Sequence, residues 1–343
     1  MLTPELQARL RAAGRPLHRW IDQFSTARVG VVGDLTLDEF LTGQVERVSR
    51  EAPVVILRHE STRQVPGAGA NAAYNLASLG AQVEAIGLIG ADIQGEALGR
   101  IFQEAGIGVT GLVVDPGRPT VTKTRIAGHA RQSVTQQIVR VDRKSDTPPG
   151  VAVWQAVAAA ITALHGRVDA LLCSDYGEGV MGEPVIQAAL GHGRVLVDTQ
   201  KDPQRYWGAW LFTPNLPEAE AAVGYAIGDE TTLQAAGRDL LAQTAAQHVL
   251  ITRGEEGMSL FSAAGSVEHL PAFNRTDVFD VTGAGDTVVA TITLATVAGA
   301  TPWESMVLGN LAASLVVRQF GTATTTQAEL HLALDRLLAA EVT

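Results

Sequence analysis

Short runs of valine, isoleucine and leucine alternate with longer stretches of helical periodicity along most of the chain. The runs with the length and β-branched character of buried strands are 28–34, 82–90, 169–175, 193–199, 210–215 and 248–254. The segments between them space apolar residues as helices do, and most end at glycine, the usual residue after a helix C-terminus. This alternation predicts an α/β fold with a doubly wound, mainly parallel sheet flanked by helices.

Two stretches break the rhythm. Residues 39–60 and 109–143 alternate apolar and polar positions and contain turn residues, with no helical periodicity. They predict a small antiparallel β lid, formed by two insertions into the α/β core of one domain spanning residues 1–343. One face of such a lid would cover a ligand or contact a second subunit. Extra strands at the edge of the main sheet are the alternative.

Composition excludes several classes of function. The chain has 343 residues, of which 46% are hydrophobic and 18% charged, and its net charge of −10 argues against a nucleic-acid binder. No apolar run approaches the ~20 residues of a membrane span. Because Cys173 is the only cysteine, we expect a cytoplasmic protein without internal disulfides. None of the three lysines, Lys123, Lys144 and Lys201, follows a glycine, so a Walker phosphate loop is excluded.

Two glycine-rich segments match the loose pattern of dinucleotide-binding loops. They are Gly67–Ala72 and Gly283–Val288. Pro66 interrupts any strand that would lead directly into the first, and the second lies too late in the chain to open a nucleotide-binding half. A dehydrogenase is therefore disfavoured.

The second glycine-rich segment forms the start of a helix predicted over about 284–298. The N–H groups of Gly283, Ala284, Gly285 and Asp286 would converge at the start of this helix and favour an anion, such as a phosphoryl group in transfer. The Asp286 carboxylate beside them could accept the proton of an attacking hydroxyl. The motif alone is equally compatible with Asp286 as a helix cap.

Other polar residues follow predicted strands, where ligands bind in open α/β sheets. Asp34 and Asp38 could accept hydrogen bonds from sugar hydroxyls. Alternatively, Asp34 is a turn residue and Asp38 a solvated acid. The segment 67–71 offers donors suited to a polyol. The segment 213–218 could instead be an ordinary asparagine turn before an acidic first helical turn, and 252–257 a hairpin turn.

In combination, these motifs resemble those of the ribokinase/PfkB family of sugar kinases. PGAGANAAYNLASLGAQVEAIGLIGAD (66–92) is similar to the N-terminal signature of that family, and DVTGAGDT (280–287) is similar to its C-terminal signature. TPNLPEAE and ITRGEEG match in the expected order between them. The resemblance extends from about Arg28 to Thr325 and implies a ribokinase-like fold, a carbohydrate kinase activity, and ATP with Mg²⁺.

Within that family, five segments resemble the heptose-7-phosphate kinases that feed ADP-heptose synthesis: GDLTLDEFLTG, RVSREAPVVI, TVTKTRI, TQQIVRVD and CSDYGEGV. The implied substrate is D-glycero-D-manno-heptose 7-phosphate, phosphorylated at the anomeric hydroxyl. A kinase of another sugar or of a nucleoside, and a non-catalytic sugar- or nucleotide-binding protein, are the alternatives. Glu178 stands where the heptose kinases have lysine, and Asp198-Thr-Gln-Lys201 where they have Asp-Pro-Lys. An acid at the first position would repel a substrate phosphate.

The resemblance also implies a role for each motif residue. Asp286 would be the base, beside an anion hole formed by Gly283, Ala284 and Gly285. The residues implied to hold the sugar are Asp34, Asp38, Gly67, Asn71 and Asp175, and those facing a sugar phosphate are Lys123, Gln136 and Arg140. The residues implied at the nucleotide are Asn215, Glu218, Thr252, Arg253, Gly254, Gly257, Asn310 and Gly321.

The implied ions and partners complete the expectation. Glu218 would reach Mg²⁺ through water, and Asp280 and Thr282 would bind a monovalent cation such as K⁺. We expect a homodimer formed through the lid, with no nucleic-acid or membrane partner. The sequence ends at Thr343 without the HxGH motif of a nucleotidyltransferase, so we expect kinase activity alone.

Overall fold

Thirteen strands lie within the described part of the chain. The computed structural model describes residues 3–130, 135–274, 277–278, 280–319 and 321–339. The strands are β1 (Arg28–Gly33), β2 (Leu35–Val48), β3 (Val55–Ala68), β4 (Gln82–Gly90), β5 (Gly108–Asp115), β6 (Thr122–His129), β7 (Gln136–Arg143), β8 (Ala170–Asp175), β9 (Val195–Thr199), β10 (Leu211–Phe212), β11 (His248–Thr252), β12 (Met258–Ser262) and β13 (Val267–Leu270).

Ten α-helices accompany these strands in the same ranges. They are α1 (Pro4–Asp22), α2 (Gly69–Ser78), α3 (Ile93–Glu104), α4 (Val151–Thr162), α5 (Glu183–Leu190), α6 (Leu216–Val223), α7 (Glu230–Thr244), α8 (Ala284–Ala298), α9 (Pro302–Val316) and α10 (Gln327–Ala339). None of the helices in the described ranges combines the length and apolar character that crossing a bilayer requires.

The main sheet has nine strands, in the order β13-β12-β11-β10-β9-β8-β1-β4-β5. All neighbouring pairs from β11 to β5 are parallel, and β12 and β13 add an antiparallel edge. Both faces are buried by helices: along β8, Ala170 and Leu172 join one apolar cluster, while Leu171 and Cys173 join the other. The predicted doubly wound α/β fold is therefore confirmed.

A second sheet has four strands, in the order β3-β2-β6-β7. Its outer pairs are antiparallel and the central pair, β2 with β6, is parallel. We call it the lid sheet. Its boundaries differ from those predicted, because β2 and β3 extend it to 35–68 and residues 109–115 pair with β4 as the edge strand β5 of the main sheet. An alternating pattern predicts a strand with one buried side but does not determine which sheet it joins.

The carboxyl ends of the parallel strands bring the two sheets and two helices together. β1 leads directly into β2 of the lid sheet, and β3 leads from the lid sheet directly into α2. α2 packs beside the start of α8, and the Thr287 hydroxyl donates to Asn75 Oδ1 at 2.8 Å between them. The loop after β8 lies next to this junction, where the Tyr176 N–H reaches the carboxylate of Asp34.

Candidate active site

The carboxylate of Asp286 lies at this junction, in the first turn of α8, and is only 3% exposed. Its Oδ2 accepts a hydrogen bond from Asn71 Nδ2 at 2.7 Å, and its Oδ1 accepts one from the Tyr176 hydroxyl at 2.9 Å. Burial raises the pKa of Asp286 to about 6, although the two donors and Lys123 oppose this rise. The helix N-cap is Gly283, and no side chain caps the helix. Asp286 therefore does not act as the cap.

The turn before α8 depends on a glycine. Gly283 has a φ of +77°, and a Cβ there would lie 2.7 Å from Asn71 Nδ2, so a larger residue would disturb the amide that contacts Asp286. The Ala284 N–H donates to the Val281 carbonyl at 3.2 Å. This N–H is thus engaged in a turn, which differs from the prediction that it is free for an anion. The cause is the tight left-handed entry into the helix.

A buried network fixes the orientation of Asn71. Asn75 Nδ2 donates to the Asn71 carbonyl at 2.9 Å and to Asn71 Oδ1 at 3.2 Å. The Thr287 hydroxyl in turn donates to Asn75 Oδ1. Because Asn71 Oδ1 accepts from Asn75, the NH₂ of Asn71 is directed at Asp286. Asn71 and Asp286 are thus brought together, and the predicted contact of Asn71 with a sugar stays a prediction.

The lid sheet contributes a second acid and two cations. Asp38 is buried in β2, with Oδ2 located 3.0 Å from Arg125 Nη1 on β6. Asp38 Oδ1 has no hydrogen-bond partner among the described residues. A Cβ on Gly67 would lie 2.8 Å from the Asp38 carboxyl carbon, so the glycine leaves room for that group. Lys123 Nζ lies 5.7 Å from the centre of the Tyr176 ring.

Tyr176 is the site residue that sequence reasoning missed. It lies immediately after Asp175, at the carboxyl end of β8, and its hydroxyl is one of the two donors to Asp286. The available signal was its position in CSDYGEGV, where a polar residue follows a buried strand. Nothing in the pattern indicated which of the neighbouring polar residues would point at Asp286.

Asp34 and Asp175 both hold the loop that carries Tyr176. Asp34 Oδ2 accepts the N–H groups of Tyr176 and Glu178 at 2.8 and 3.0 Å, and Oδ1 accepts that of Val180 at 3.1 Å. Burial and the charge of Asp175 raise the pKa of Asp34 to about 6, against the effect of these donors. That Asp34 also contacts a sugar stays a prediction.

Asp175 lies on the opposite face of the main sheet. Its carboxylate accepts hydrogen bonds from the Tyr206 hydroxyl at 2.6 Å and from the Gly177 N–H at 3.0 Å. The side chain of Ser174, the preceding residue, approaches a Cβ built on Gly69 at the start of α2 to 3.4 Å. Since successive residues of a strand point to opposite faces, Asp175 is turned away from Asp286. The predicted contact of Asp175 with a sugar stays a prediction.

The two predicted phosphate contacts on β7 are exposed. Gln136 is the first residue of that strand, and Arg140 forms two hydrogen bonds of 2.8 Å with Asp142. Lys144, just after β7, lies 3.3 Å from Glu178 Oε2. The acid that departs from the heptose kinase pattern is therefore paired with a cation.

Most of the predicted nucleotide residues lie at the carboxyl ends of β10 and β11. Asn215 and Glu218 form a reciprocal capping box at the start of α6, with both hydrogen bonds at 2.9 Å. Asp198, at the end of β9, lies nearby and is partly exposed; desolvation, followed by the charges of Asp286 and Glu218, raises its pKa well above the usual range. A cavity of about 240 Å³ opens beside Glu218 and Thr213.

Four more of the predicted nucleotide residues lie at the end of β11 and in the turn before β12, whereas Asn310 lies in α9 and Gly321 follows that helix. Thr252 bridges to Asn215, and Gly254 begins a short 3₁₀ turn after Arg253. Gly257 has a φ of +95°, and a Cβ there would lie 2.0 Å from the Leu270 carbonyl oxygen. Asn310 is buried in α9, where its amide binds the backbone of residues 271 and 273. The hairpin and helix-cap alternatives thus describe the local structure of these motifs.

Asp280 organises the loop before α8. Its Oδ1 accepts the Thr282 N–H and its Oδ2 accepts the Gly321 N–H, both at 2.9 Å. Burial would raise its pKa, but these donors and Arg125 outweigh that effect and lower it. In the described ranges, no group of three or more histidine, cysteine or acidic side chains is arranged to hold a metal ion. The monovalent cation site stays a prediction.

Comparison with known proteins decides the family. Residues 27–329 match the sequence profile described as pfkB family carbohydrate kinase. The chain belongs to the pfkB family of carbohydrate kinases. It is accordingly a phosphotransferase with an alcohol group as acceptor.

Similar proteins and structures agree with this assignment. The chain is 42% identical over 316 residues to the bifunctional protein HldE of Pelobacter propionicus, and 42% identical over 308 residues to that of Geobacter metallireducens. These matches cover 90% and 87% of this chain, which spans about 63% and 61% of the length of the two relatives.

Two solved structures share the fold. Phosphofructokinase-2 from Escherichia coli, in complex with substrates and products, has a TM-score of 0.74 at 19% identity and covers 91% of this chain and 99% of its own. Arabidopsis thaliana ribokinase, complexed with ribose and ATP, has a TM-score of 0.68 at 18% identity and covers 92% and 99%. The predicted ribokinase-like fold with a small second sheet is confirmed.

Proposed function

We propose that this pfkB family kinase transfers the γ-phosphoryl group of ATP to the anomeric hydroxyl of D-glycero-D-manno-heptose 7-phosphate. The observation that carries the proposal is the buried Asp286 carboxylate, held by two donors at the junction of the main sheet, α2 and the lid sheet. Its pKa of about 6 leaves it mostly ionised at neutral pH, so it can accept the proton of a hydroxyl. The bifunctional HldE relatives, which carry a heptose-7-phosphate kinase domain, support the choice of sugar.

The acceptor sugar would lie between Asp286 and the lid sheet. Asp38 Oδ1 is a buried acceptor without a partner among the described residues, and a sugar hydroxyl would satisfy it. Gly67 keeps the space beside this carboxylate open. Lys123 and Arg125 bring positive charge from β6 to the same region. A sugar ring bound here would place one hydroxyl at Asp286 and others at Asp38.

Two observations bear on a phosphorylated acceptor. Glu178 would repel a phosphate if it were alone, but its carboxylate lies 3.3 Å from Lys144 Nζ. Lys123, whose Nζ lies 5.7 Å from the centre of the Tyr176 ring, would supply a counter-charge to the sugar phosphate. These charges favour a sugar phosphate over a neutral sugar. Gln136 and Arg140 would reach the phosphate only if the ligand also contacted β7.

ATP and Mg²⁺ would occupy the side of the site formed by α6 and the turn after β11. The carboxyl groups of Asp198, Asp286 and Glu218 lie close enough to one another there to raise the pKa of Asp198, and carboxylate oxygens are the donors that Mg²⁺ prefers. Glu218, which we propose reaches the metal through water, and Asn215 would hold the ion, which supplies charge neutralisation to the phosphates. Thr252, Arg253, Gly254, Gly257, Asn310 and Gly321 would border the nucleotide. The loop of Asp280 and Thr282 would bind K⁺.

The proposed assembly is a homodimer formed through the lid sheet, in the cytoplasm. All eight residues of β7 are exposed, including the apolar Ile138, Val139 and Val141. An uncovered strand of this kind is a hazard for aggregation unless a partner covers it. A second copy, presenting the same strand, would cover it.

A coupled assay of ADP release tests the function. The purified chain would be offered heptose 7-phosphate, the dephosphorylated heptose, fructose 6-phosphate, ribose and a nucleoside, each with Mg²⁺ and ATP. We expect the highest kcat/KM for heptose 7-phosphate and little activity without its phosphate. Higher activity on a neutral sugar would overturn the proposed substrate. If no acceptor in the series supported ADP release, the proposed acceptor class would be overturned. Omitting K⁺ in the same assay tests the cation.

A further inference from the structure

The phenol of Tyr176 contacts the carboxylate that we propose as the base. Its hydroxyl donates to Asp286 Oδ1 at 2.9 Å, while Asn71 Nδ2 donates to the other oxygen at 2.7 Å. Two donors on different oxygens fix the rotation of the carboxylate about its last bond. Each oxygen keeps a second lone pair for a substrate hydroxyl.

Tyr176 remains a donor at any pH at which the enzyme would be assayed. Burial, followed by the negative charges of Asp286 and Asp198, raises the pKa of Tyr176 well above its usual value. A phenol in that environment keeps its proton, so it cannot serve as the base itself. Its influence on the reaction must be exerted through Asp286.

The loop of Tyr176 is held from three directions. Asp34 accepts hydrogen bonds from the N–H groups of Tyr176, Glu178 and Val180. Arg118 Nη2 donates to the Glu178 carbonyl at 3.0 Å. Lys144 pairs with the carboxylate of the same residue. This degree of restraint is typical of a residue whose side chain must be placed accurately.

The ring of Tyr176 also has a fixed neighbour. Lys123 Nζ, from the lid sheet, lies 5.7 Å from the ring centre, within the range of a cation–π contact. The Tyr176 side chain, which belongs to the loop after β8, therefore contacts both the lid sheet and Asp286.

We propose that Tyr176 is a positioning residue that keeps Asp286 ionised and directed at the acceptor hydroxyl. The inference rests on the proposed role of Asp286 as base. In the reaction, the acceptor O–H bond breaks and its proton passes to Asp286. The oxygen lone pair forms the new bond to the γ-phosphorus, and ADP leaves with the electrons of the broken P–O bond. Tyr176 keeps its own proton throughout and stabilises the charged carboxylate before the proton arrives.

Other charges face the same carboxylate and set the background of its titration. Asp38 from β2 raises the pKa of Asp286, and Lys123 from β6 lowers it. Asp198, at the end of β9, and Glu218, in α6, add negative charge on the nucleotide side. Removing one hydroxyl from Tyr176 leaves all four of these groups in place, so its effect is separable from theirs.

The test is the pH profile of kcat/KM for Tyr176→Phe. Phenylalanine keeps the ring beside Lys123 and removes only the donor. We expect the acid limb of the profile to move up by about one pH unit, because the ionised form of Asp286 loses a charge-assisted hydrogen bond. From a starting pKa of about 6, kcat/KM should then fall about twofold at pH 7 and about tenfold at pH 5. The KM for ATP should not change. Tyr225→Phe is the matched control, since that hydroxyl donates to the exposed Asp239 at 2.7 Å and makes no contact with Asp286.

Incorporation of 3-fluorotyrosine at position 176 provides a second measurement. Its more acidic phenol is a stronger donor, so the acid limb should move down in pH. Loss of activity in Tyr176→Phe with an unshifted acid limb, or the same shift in Tyr225→Phe, would overturn the inference. If Asp286→Asn abolishes turnover while both Tyr176 variants keep the wild-type profile, the inference fails and the proposed function stands. Near-wild-type turnover of Asp286→Asn would overturn the base itself.

Discussion

Replacing Asp286 by asparagine should inactivate the enzyme and stabilise the fold at the same time. The side chains have nearly the same shape, and Asn71 can still donate to the remaining carbonyl oxygen. Burial raises the pKa of Asp286 from 3.8 to about 6, a shift of roughly two units, or about 3 kcal/mol. That free energy is the cost of keeping the carboxylate charged inside the folded protein.

The sign of this cost determines its pH dependence. A carboxyl group whose pKa is raised by folding does not lower the stability of the protein below pH 3.8, where the group is protonated in both the folded and the unfolded state. The cost grows as pH rises to about 6 and is constant above that value. Asp286→Asn should therefore be more stable than the wild type by up to about 3 kcal/mol at pH 8, less whatever the new contact with Tyr176 costs. Near pH 4 the advantage should vanish.

The assay is urea unfolding at pH 8, 6 and 4.5, combined with kcat from ADP release at pH 8. We expect kcat to fall at least ~100-fold while the KM for ATP is retained. Asp146→Asn, at an exposed position, is the control for the loss of one negative charge. A variant that is equally or less stable than the wild type at pH 8 would refute the argument from burial. A variant that still turns over would refute the role of base.

Three further predictions concern the surroundings of the site and the assembly. Gly67→Ala should raise the KM for the acceptor several-fold without changing the KM for ATP, because its Cβ would lie 2.8 Å from the Asp38 carboxyl carbon. Gly99→Ala is the control, since a Cβ there would have no atom within 4 Å, and an equal change of KM in both variants would contradict the prediction. Asn75→Ala should lower the free energy of unfolding by about 1–3 kcal/mol and reduce kcat, because the Asn71 amide would be free to rotate. Urea unfolding and steady-state kinetics measure the two effects, and an unchanged kcat would show that Asn75 does not orient Asn71 for the reaction. Sedimentation should give a dimer, and a monomer at all concentrations would exclude the lid contact.

The local pattern of the chain predicted its elements well. The six expected strands and the helix over about 284–298 were all found, because periodicities of 2 and 3.6 reflect which side chains each element buries. Asp286 was singled out as a candidate base because it is a charge in the first turn of an otherwise apolar helix, and that role stays a prediction. The motifs at 213–218 and 252–257 were located as well, at the carboxyl ends of β10 and β11.

The contacts between distant segments were decided by the tertiary structure. Asn71 and Tyr176 are 215 and 110 residues from Asp286, and both donate to its carboxylate. No periodicity reports which side chains meet across such distances. The face on which Asp175 points, the sheet that β5 joins and the turn that engages the Ala284 N–H also depend on packing. Sequence alone determined which segments are strands and helices and that a charged residue, Asp286, opens an otherwise apolar helix. The arrangement of those segments decided which donors hold its carboxylate, because strand order and helix packing bring residues together that the chain keeps apart.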